Sequence, residues 1–320
     1  MGLLRYVPAI PLSAVLGKTM DGLERRVDDA INRIRFSAGE RLPLAALSDT
    51  AGLSQYYFHR TFKKAVGETV LEFSNRNRLM FAARLLRHWK DRSILDLALS
   101  CGFNSAADFS RVFRSRYGIT PRDLARGEYV TLNAARAKRR NRIELIKRRK
   151  PGSVREVQVR AVGPLKIIYK RVLQSMDRPE AVKAALTEVH SFAERNHLLD
   201  FSSCPLLLGI CWDDFDLSPA DRFMYDAGIV VRSNVLPKLE PGMGSLQLPG
   251  ARYAIFDFEG NIGDEEDSLD FIAYSWLAET RYLPTMLPSL EVFLNERSLC
   301  DWDRMKLKLF VPIVEKIDFF

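Results

Sequence analysis

Gly52–Gly67, GLSQYYFHRTFKKAVG, decides the reading of this chain, because the chain uses the pattern twice. The second copy is Gly102–Gly118, GFNSAADFSRVFRSRYG. Both carry Phe-x-Arg-x-Phe-basic and then a glycine: Phe58, Arg60, Phe62, Lys63 and Gly67, then Phe109, Arg111, Phe113, Arg114 and Gly118. A short apolar segment precedes each, LPLAALSDTAG (42–52) and SILDLALSCG (93–102). Each unit therefore reads as helix, glycine turn, helix. Gly52 and Gly102 suit a left-handed turn, and Ser54 and Asn104 are placed to cap the second helix. Phenylalanines four residues apart share one helix face and are expected to be buried. Gln55, Tyr56, His59 and Arg60 then project elsewhere. Two such units describe a doubled helix-turn-helix.

The chain of 320 residues has room for two or three domains. Its net charge of +8 is unevenly placed. Residues 1–150 carry 30 Lys and Arg against 14 Asp and Glu, a net +16, while residues 151–320 carry 18 against 26, a net −8. A basic half calls for a polyanionic partner; the acidic half must bind something else. Cys101, Cys204, Cys211 and Cys300 lack metal-ligand spacing, and the 4 histidines do not cluster with them. Neither a metal nor a cofactor is expected, and the cysteines read as reduced thiols of a cytoplasmic protein. No apolar run approaches a membrane span. The opening MGLLRYVPAIPLSAVLG is mildly signal-like, yet Pro8 and Pro11 interrupt it, so neither secretion nor a membrane partner is expected.

Along the chain, Asp21 with Glu24 reads as a capping box for a first helix, with an apolar stripe of Leu23, Val27, Ala30, Ile31 and Ile34 ending near Arg35. Between the two units, VLEFSNRNRLMFAARLLRHW (70–89) reads as a connecting helix with Leu71, Leu79, Ala82, Ala83 and Leu86 as its apolar positions. At about 1.5 Å per residue it is about 30 Å long. Successive major grooves on one DNA face lie about 34 Å apart, so this helix has the length to hold two reading helices one DNA turn apart.

These residues resemble the AraC/XylS family of transcription regulators over roughly residues 20–127. The resemblance rests on the doubled unit, the connecting helix with Arg78 and Leu79, and the closing Gly102-Phe103 and Thr120-Pro121. It implies that Gln55, Tyr56, His59 and Arg60 of the first reading helix, and Ser105, Ala106, Ser110 and Arg111 of the second, contact double-stranded DNA. Asp108 departs from what a helix approaching phosphates calls for; it caps its own helix or reads a cytosine amino group. The following AARAKRRNRIELIKRRKP (134–151) is intensely basic through Arg136, Lys138, Arg139, Arg140, Arg142 and Lys147–Lys150. It reads as a solvated linker, as a source of non-specific phosphate contacts, or as both.

From Val154 the pattern changes to short alternating runs around two helical stretches. The order reads strand (157–169), helix (179–196), strand (206–212) and strand (224–231), then strand (244–248 into 252–259), helix (264–280), strand (289–294) and strand (305–311). That is β-α-β-β twice, an α+β domain with an antiparallel sheet and helices on one face, leaving the other face or a central groove for a ligand. This half resembles the GyrI-like effector-binding domain over roughly residues 154–313, through WDDFDLSPADRFMYDAG (212–228), YAIFDFEG (253–260), the Tyr274–Leu277 helix end and PSLEVFLN (288–295). Together the two resemblances follow the Rob-like order, DNA-binding half first. In such domains a carboxylate on the central strand meets an apolar cation, and here that residue is Glu291. Strand alternation puts Glu291 and Phe293 on one face. A buried carboxylate needs a partner, and Tyr225, Phe256, Tyr274, Trp276 and Phe293 are candidates to ring a cation. Lys170 and Arg171 in YKRVLQ (169–174) are placed to narrow the groove or neutralise Glu291.

The chain is thus expected to be multi-domain. An all-α double helix-turn-helix occupies 1–130, a basic linker 131–152 and a GyrI-like domain 153–320. The expected function is regulation of transcription from an operator, with a small apolar or cationic effector, RNA polymerase as a candidate partner, and no catalysis. The alternatives are hydrolysis of a small electrophile by the second domain, with Glu291 and a tyrosine as general base, or a purely protein-binding role.

Overall fold

The computed structural model describes residues 22–37, 42–89, 92–137, 151–198, 207–232, 237–299 and 301–319. Helix α1 (Leu23–Phe36) buries Val27, Ala30, Ile31 and Ile34, the stripe its periodicity predicts. Gly22 stands at its N-cap; Asp21 of the expected capping box lies outside the described residues. Helices α2 (Leu44–Ala51) and α3 (Gln55–Val66) form the first unit. The connecting helix α4 (Val70–His88) leads to α5 (Ile94–Ser100) and α6 (Ala106–Tyr117), the second. Gly52 and Gly102 take left-handed φ angles of 62° and 73°, as their place between helices requires. Ser54 caps α3 by accepting the Tyr57 N–H at 3.3 Å. The second unit differs by one residue: Ser105, not Asn104, caps α6, accepting the Asp108 N–H at 3.1 Å. The segment after Gly102 is one residue longer than that after Gly52, which moves the cap along.

Phe58, Phe62, Phe109 and Phe113 are all 0% exposed. Edge-on and tilted ring packing links Phe58, Phe62 and Phe73 in one unit, and Phe103, Phe109, Phe113 and Tyr117 in the other. Helix α4 opens on a capping box of Thr69 and Glu72 and buries Leu79, Ala82, Ala83 and Leu86. Leu71, expected on the same face, is instead 54% exposed; it sits in the first turn, before the helix enters the core. Helices α7 (Pro121–Ala125) and α8 (Ala134–Ala137) follow the second unit.

The acidic half is built from β1 (Val154–Val162), β2 (Leu165–Leu173), helix α9 (Pro179–Arg195), β3 (Leu207–Cys211), β4 (Met224–Val230), β5 (Met243–Leu248), β6 (Ala251–Gly260), helix α10 (Ile262–Phe271), β7 (Tyr282–Pro284), β8 (Ser289–Phe293) and β9 (Met305–Glu315). The strands make one antiparallel sheet in the order β1-β6-β9-β8-β3-β4-β2-β5, with β7 against β9. The run expected as a single strand, 157–169, is broken at Gly163-Pro164 into β1 and β2. Each repeat is therefore ββ-α-ββ, with β7 added to the second. The first strands are exchanged between repeats: β1 pairs with β6, and β5 pairs with β2. At the centre β3 of one repeat meets β8 of the other. Helix α9 packs Val182, Leu186, Val189 and Phe192 into the core of one sheet face. Helix α10 passes into a π-helical stretch, Ile272–Trp276, rather than continuing as a regular α-helix, and π-helical turns accompany functional sites.

The two halves share cores. Met224 and Leu173 join the core of the first unit. Leu217, Leu283 and Val314 join that of the second. The sheet face opposite α9, which was a candidate ligand surface, is partly covered by α1, whose Phe36 meets Trp212 edge-on at 5.3 Å.

Candidate DNA-reading surface and ligand cavity

With the phenylalanines turned inward, α3 presents Gln55, Tyr56 and Arg60 to solvent, Tyr56 at 77% exposure, and His59 half-buried beside them. On α6, Arg111 is exposed while Ala106 and Ser110 are half-buried. Ser105 is engaged as the N-cap. The Asp108 carboxylate accepts from Arg111 Nη2 at 2.7 Å. The acid that stood out in the sequence therefore pairs along its own helix. Lys63, Lys64, Arg114 and Arg116 lie in the last turns of the two helices, where cations favour the C-terminal end of the dipole.

Other arginines of the same half turn inward. Arg76, 1% exposed, donates to Glu68 at 2.9 Å and to Asp213; Arg35 reaches the other Asp213 oxygen at 3.3 Å. Burial raises the Asp213 carboxyl, but the Arg76 and Arg35 guanidiniums outweigh it and hold the carboxyl below its ordinary range. Arg87 Nη1 donates to Asp214 at 3.1 Å. Arg136, expected to be solvated or on DNA phosphates, is 4% exposed; it donates to Asp216 at 2.9 Å and to Asp270. The remaining basic residues of that stretch, 138–150, lie outside the described residues. Arg171 of β2 points away from Glu291. It grips Asp226 at 2.6 and 2.7 Å, Asn32 at 2.9 Å and Asp28 of α1. Lys170 pairs with Glu188. Neither neutralises Glu291: Arg171 faces the other side of the sheet, and Lys170, in register with Glu291 across β4 and β3, is taken by Glu188. Arg222 adds a further bridge, donating from Nη1 to the Val66 carbonyl at 3.2 Å, at the C-terminal end of α3.

Glu291 sits on β8 opposite Gly209 of β3, and Cys211 lies opposite Tyr225 of β4. The Tyr225 hydroxyl donates to Glu291 Oε2 at 2.7 Å and Cys211 Sγ donates to Oε1 at 2.9 Å. Tyr225 reaches Glu291 by crossing over Gly209, where a Cβ would stand 1.8 Å from the hydroxyl; only glycine leaves that path open. Burial raises the Glu291 carboxyl, more than the two donors lower it. Glu265 of α10, 4% exposed, is raised well above its ordinary range by burial and then by Glu291.

A cavity of about 100 Å³ opens beside Glu291. Its lining brings Glu291, Cys211 and Tyr274 together with Arg84, Arg87 and His88 of α4. Tyr274 also donates its hydroxyl to Asp216. Phe293 and Phe256 are in the core, 5% and 0% exposed. Trp276 packs edge-on to Phe256 at 5.1 Å and parallel to Tyr282 at 6.1 Å. Of the residues singled out in the sequence, the structure thus gathers Glu291, Tyr225 and Tyr274, while Phe256, Phe293 and Trp276 build the core around them. Sequence reasoning passed over Gly209, Cys211, Glu265, Arg84 and Arg87. Gly209 alone carried a signal, a glycine inside the apolar run LLLGIC, which marks a close approach in a strand.

Among the described residues no helix is long and apolar enough to cross a membrane. Residues 47–127 match a helix-turn-helix domain family, and residues 155–314, half of the chain, match the GyrI-like small molecule binding domain. The HTH-type transcriptional activator RhaS of Escherichia fergusonii is 33% identical over 112 residues, 35% of this chain and 40% of that protein. RhaS of Escherichia coli O1:K1 is 40% identical over 82 residues, 26% of this chain and 29% of that protein. The chain therefore spans less than half the length of these curated relatives. A solved AraC-type transcriptional regulator from Chromobacterium violaceum is 27% identical with a TM-score of 0.31, covering 32% of this chain and 91% of its own.

Proposed function

The chain belongs to the GyrI-like small-molecule-binding family through residues 155–314 and carries an AraC-type helix-turn-helix domain ahead of it; from that premise we propose that it is a cytoplasmic, sequence-specific regulator of transcription whose acidic half senses a small molecule. The observation that carries the reading is the division of the arginines. Arg60 and Arg111 sit on matched helices facing solvent, while Arg35, Arg76, Arg87 and Arg136 tie the reader to the sensing half. Helix α4, with its 19 residues, is about 28 Å long, close to the roughly 34 Å between successive major grooves. Gln55, Tyr56, His59 and Arg60, with Ser110 and Arg111, are the contacts this reading assigns to DNA, and Ser105 and Ala106 fix the start of the second reading helix.

The effector of this reading is a small apolar cation. Burial disfavours the Glu291 anion, and a cation entering beside it favours that anion again. Calorimetry on the full chain tests this with benzylamine, charged at neutral pH, against benzyl alcohol. Benzylamine should bind several-fold tighter and lose its advantage in Glu291→Gln. Equal affinities for the two compounds in the wild type would overturn the assignment. The Tyr225–Glu291 hydrogen bond also fits a second reading, hydrolysis of a small electrophile; that reading requires a bound compound to be recovered altered, whereas a sensor returns it intact.

A further inference from the structure

We propose that the Glu291 cavity is a shared site, in which α4 of the DNA-binding half supplies a second wall and the occupant carries a carboxylate for that wall as well as a cation for Glu291. The inference rests on the sensing reading above and adds the second charge. Arg84, Arg87 and His88 are spaced i, i+3 and i+4, so they share one face of α4, and all three line the cavity. The Arg87 side chain is 6% exposed. Its Nη1 holds Asp214 and its plane covers the Tyr274 ring at 4.9 Å, yet Nη2 has no hydrogen-bond partner among the described residues. His88 is 9% exposed and its Nδ1 also lacks a partner there. Arg84 is half-buried with no ion pair among the described residues.

Three of the acids on the same cavity, Asp213, Asp214 and Asp216, have both oxygens engaged already, and Asp270 has its Oδ1 engaged. Asp213 holds Arg35 and Arg76. Asp214 accepts from Arg87 and from the N–H groups of Asp216 and Leu217 at 3.0 and 3.1 Å. Asp216 accepts from Tyr129 at 2.7 Å, Arg136 and Tyr274, and Asp270 from Arg136. Buried guanidinium donors without an acceptor are costly, and a planar carboxylate matches their fork. Apolar side chains, among them Leu269, Ile272 and Leu309, complete the lining. The volume of about 100 Å³ suits a body the size of one ring. An occupant of this kind touches the helix that spaces the two reading helices, so the DNA-binding half is part of the effector site.

The test compares benzylamine with 4-(aminomethyl)benzoate, which adds a carboxylate across the ring, by calorimetry on the full chain. The carboxylate should tighten binding at least tenfold. Arg84→Gln, which breaks no ion pair among the described residues, should cut that ratio below threefold, and Arg84→Lys should restore part of it. An equal ratio in wild type and Arg84→Gln overturns the shared wall. If benzylamine binding still depends on Glu291 in that case, the cation-sensing reading stands alone. If neither compound binds in a Glu291-dependent manner, both fall.

Discussion

The outer and inner faces of the DNA-binding half use the same residue type in opposite ways. Outside, Arg111 has a side chain 74% exposed and pairs with Asp108 one turn away. Inside, Arg76 is 1% exposed and is shared between Glu68 and Asp213. An exposed pair is worth little because water competes for both partners. A buried pair is worth little as a replacement for apolar packing, yet removing one partner strands a charge. The +16 of the first 150 residues is therefore not all directed at DNA; part of it neutralises the acidic half.

The sharpest way to break this comparison is Asp213→Ala, which leaves Arg35 and Arg76 buried without their shared carboxylate. Stability measured by urea unfolding should fall by about 3–5 kcal/mol. A loss below about 1 kcal/mol would mean that water reaches the inner face and the two faces do not differ.

A second test uses pH. Burial first, and then the charges of Arg87, Arg84 and Lys316, push the His88 pKa down from 6.5 to about 3. The unfolded chain takes up this proton near 6.5 and the folded chain only near 3, so the neutral ring's contribution is complete above that upper value and is lost as pH falls between the two. The slope approaches about 1.4 kcal/mol per pH unit, giving about 1.6 kcal/mol between roughly pH 6.5 and 5. His88→Gln removes the titration. The stability difference between wild type and variant should therefore shift by that amount over the window. A difference independent of pH would place His88 in water.

The smallest effect belongs outside. Asp108→Asn removes the exposed pair with Arg111 and the first-turn acid of α6, and should change stability by about 1 kcal/mol or less. A loss as large as that of Asp213→Ala would erase the distinction between the faces.

The doubled unit was legible because its signals are local. Glycine turns, paired phenylalanines and cap residues lie within one turn of each other, so Gly52, Phe58 and Phe62 were placed from their spacing alone. The one-residue shift from Asn104 to Ser105 escaped because both residues cap well. The sheet was legible in its alternation but not in its pairing. Nothing in the run 157–169 says that β1 joins β6 while β2 joins β5, and the Gly163-Pro164 break was the only local hint. Glu291 was found through resemblance, but Cys211 and Gly209 come to it only once β3 lies between β4 and β8. Contacts across the halves, such as Arg136 with Asp216 and Asp270 or Arg171 with Asp28, join residues far apart in sequence. Charge counts told that each half needed a partner, not that part of the answer was the other half.

The most direct test of the central claim, one chain reading two successive grooves through α3 and α6, is to select binding sites from random-sequence DNA with the full chain and footprint the winners with hydroxyl radicals. Two protected patches about ten base pairs apart on one DNA face are predicted. Arg60→Ala should weaken one patch and Arg111→Ala the other, each by about 1 kcal/mol, the lower end for a base contact. A single protected patch, or no enriched sequence at all, would contradict it.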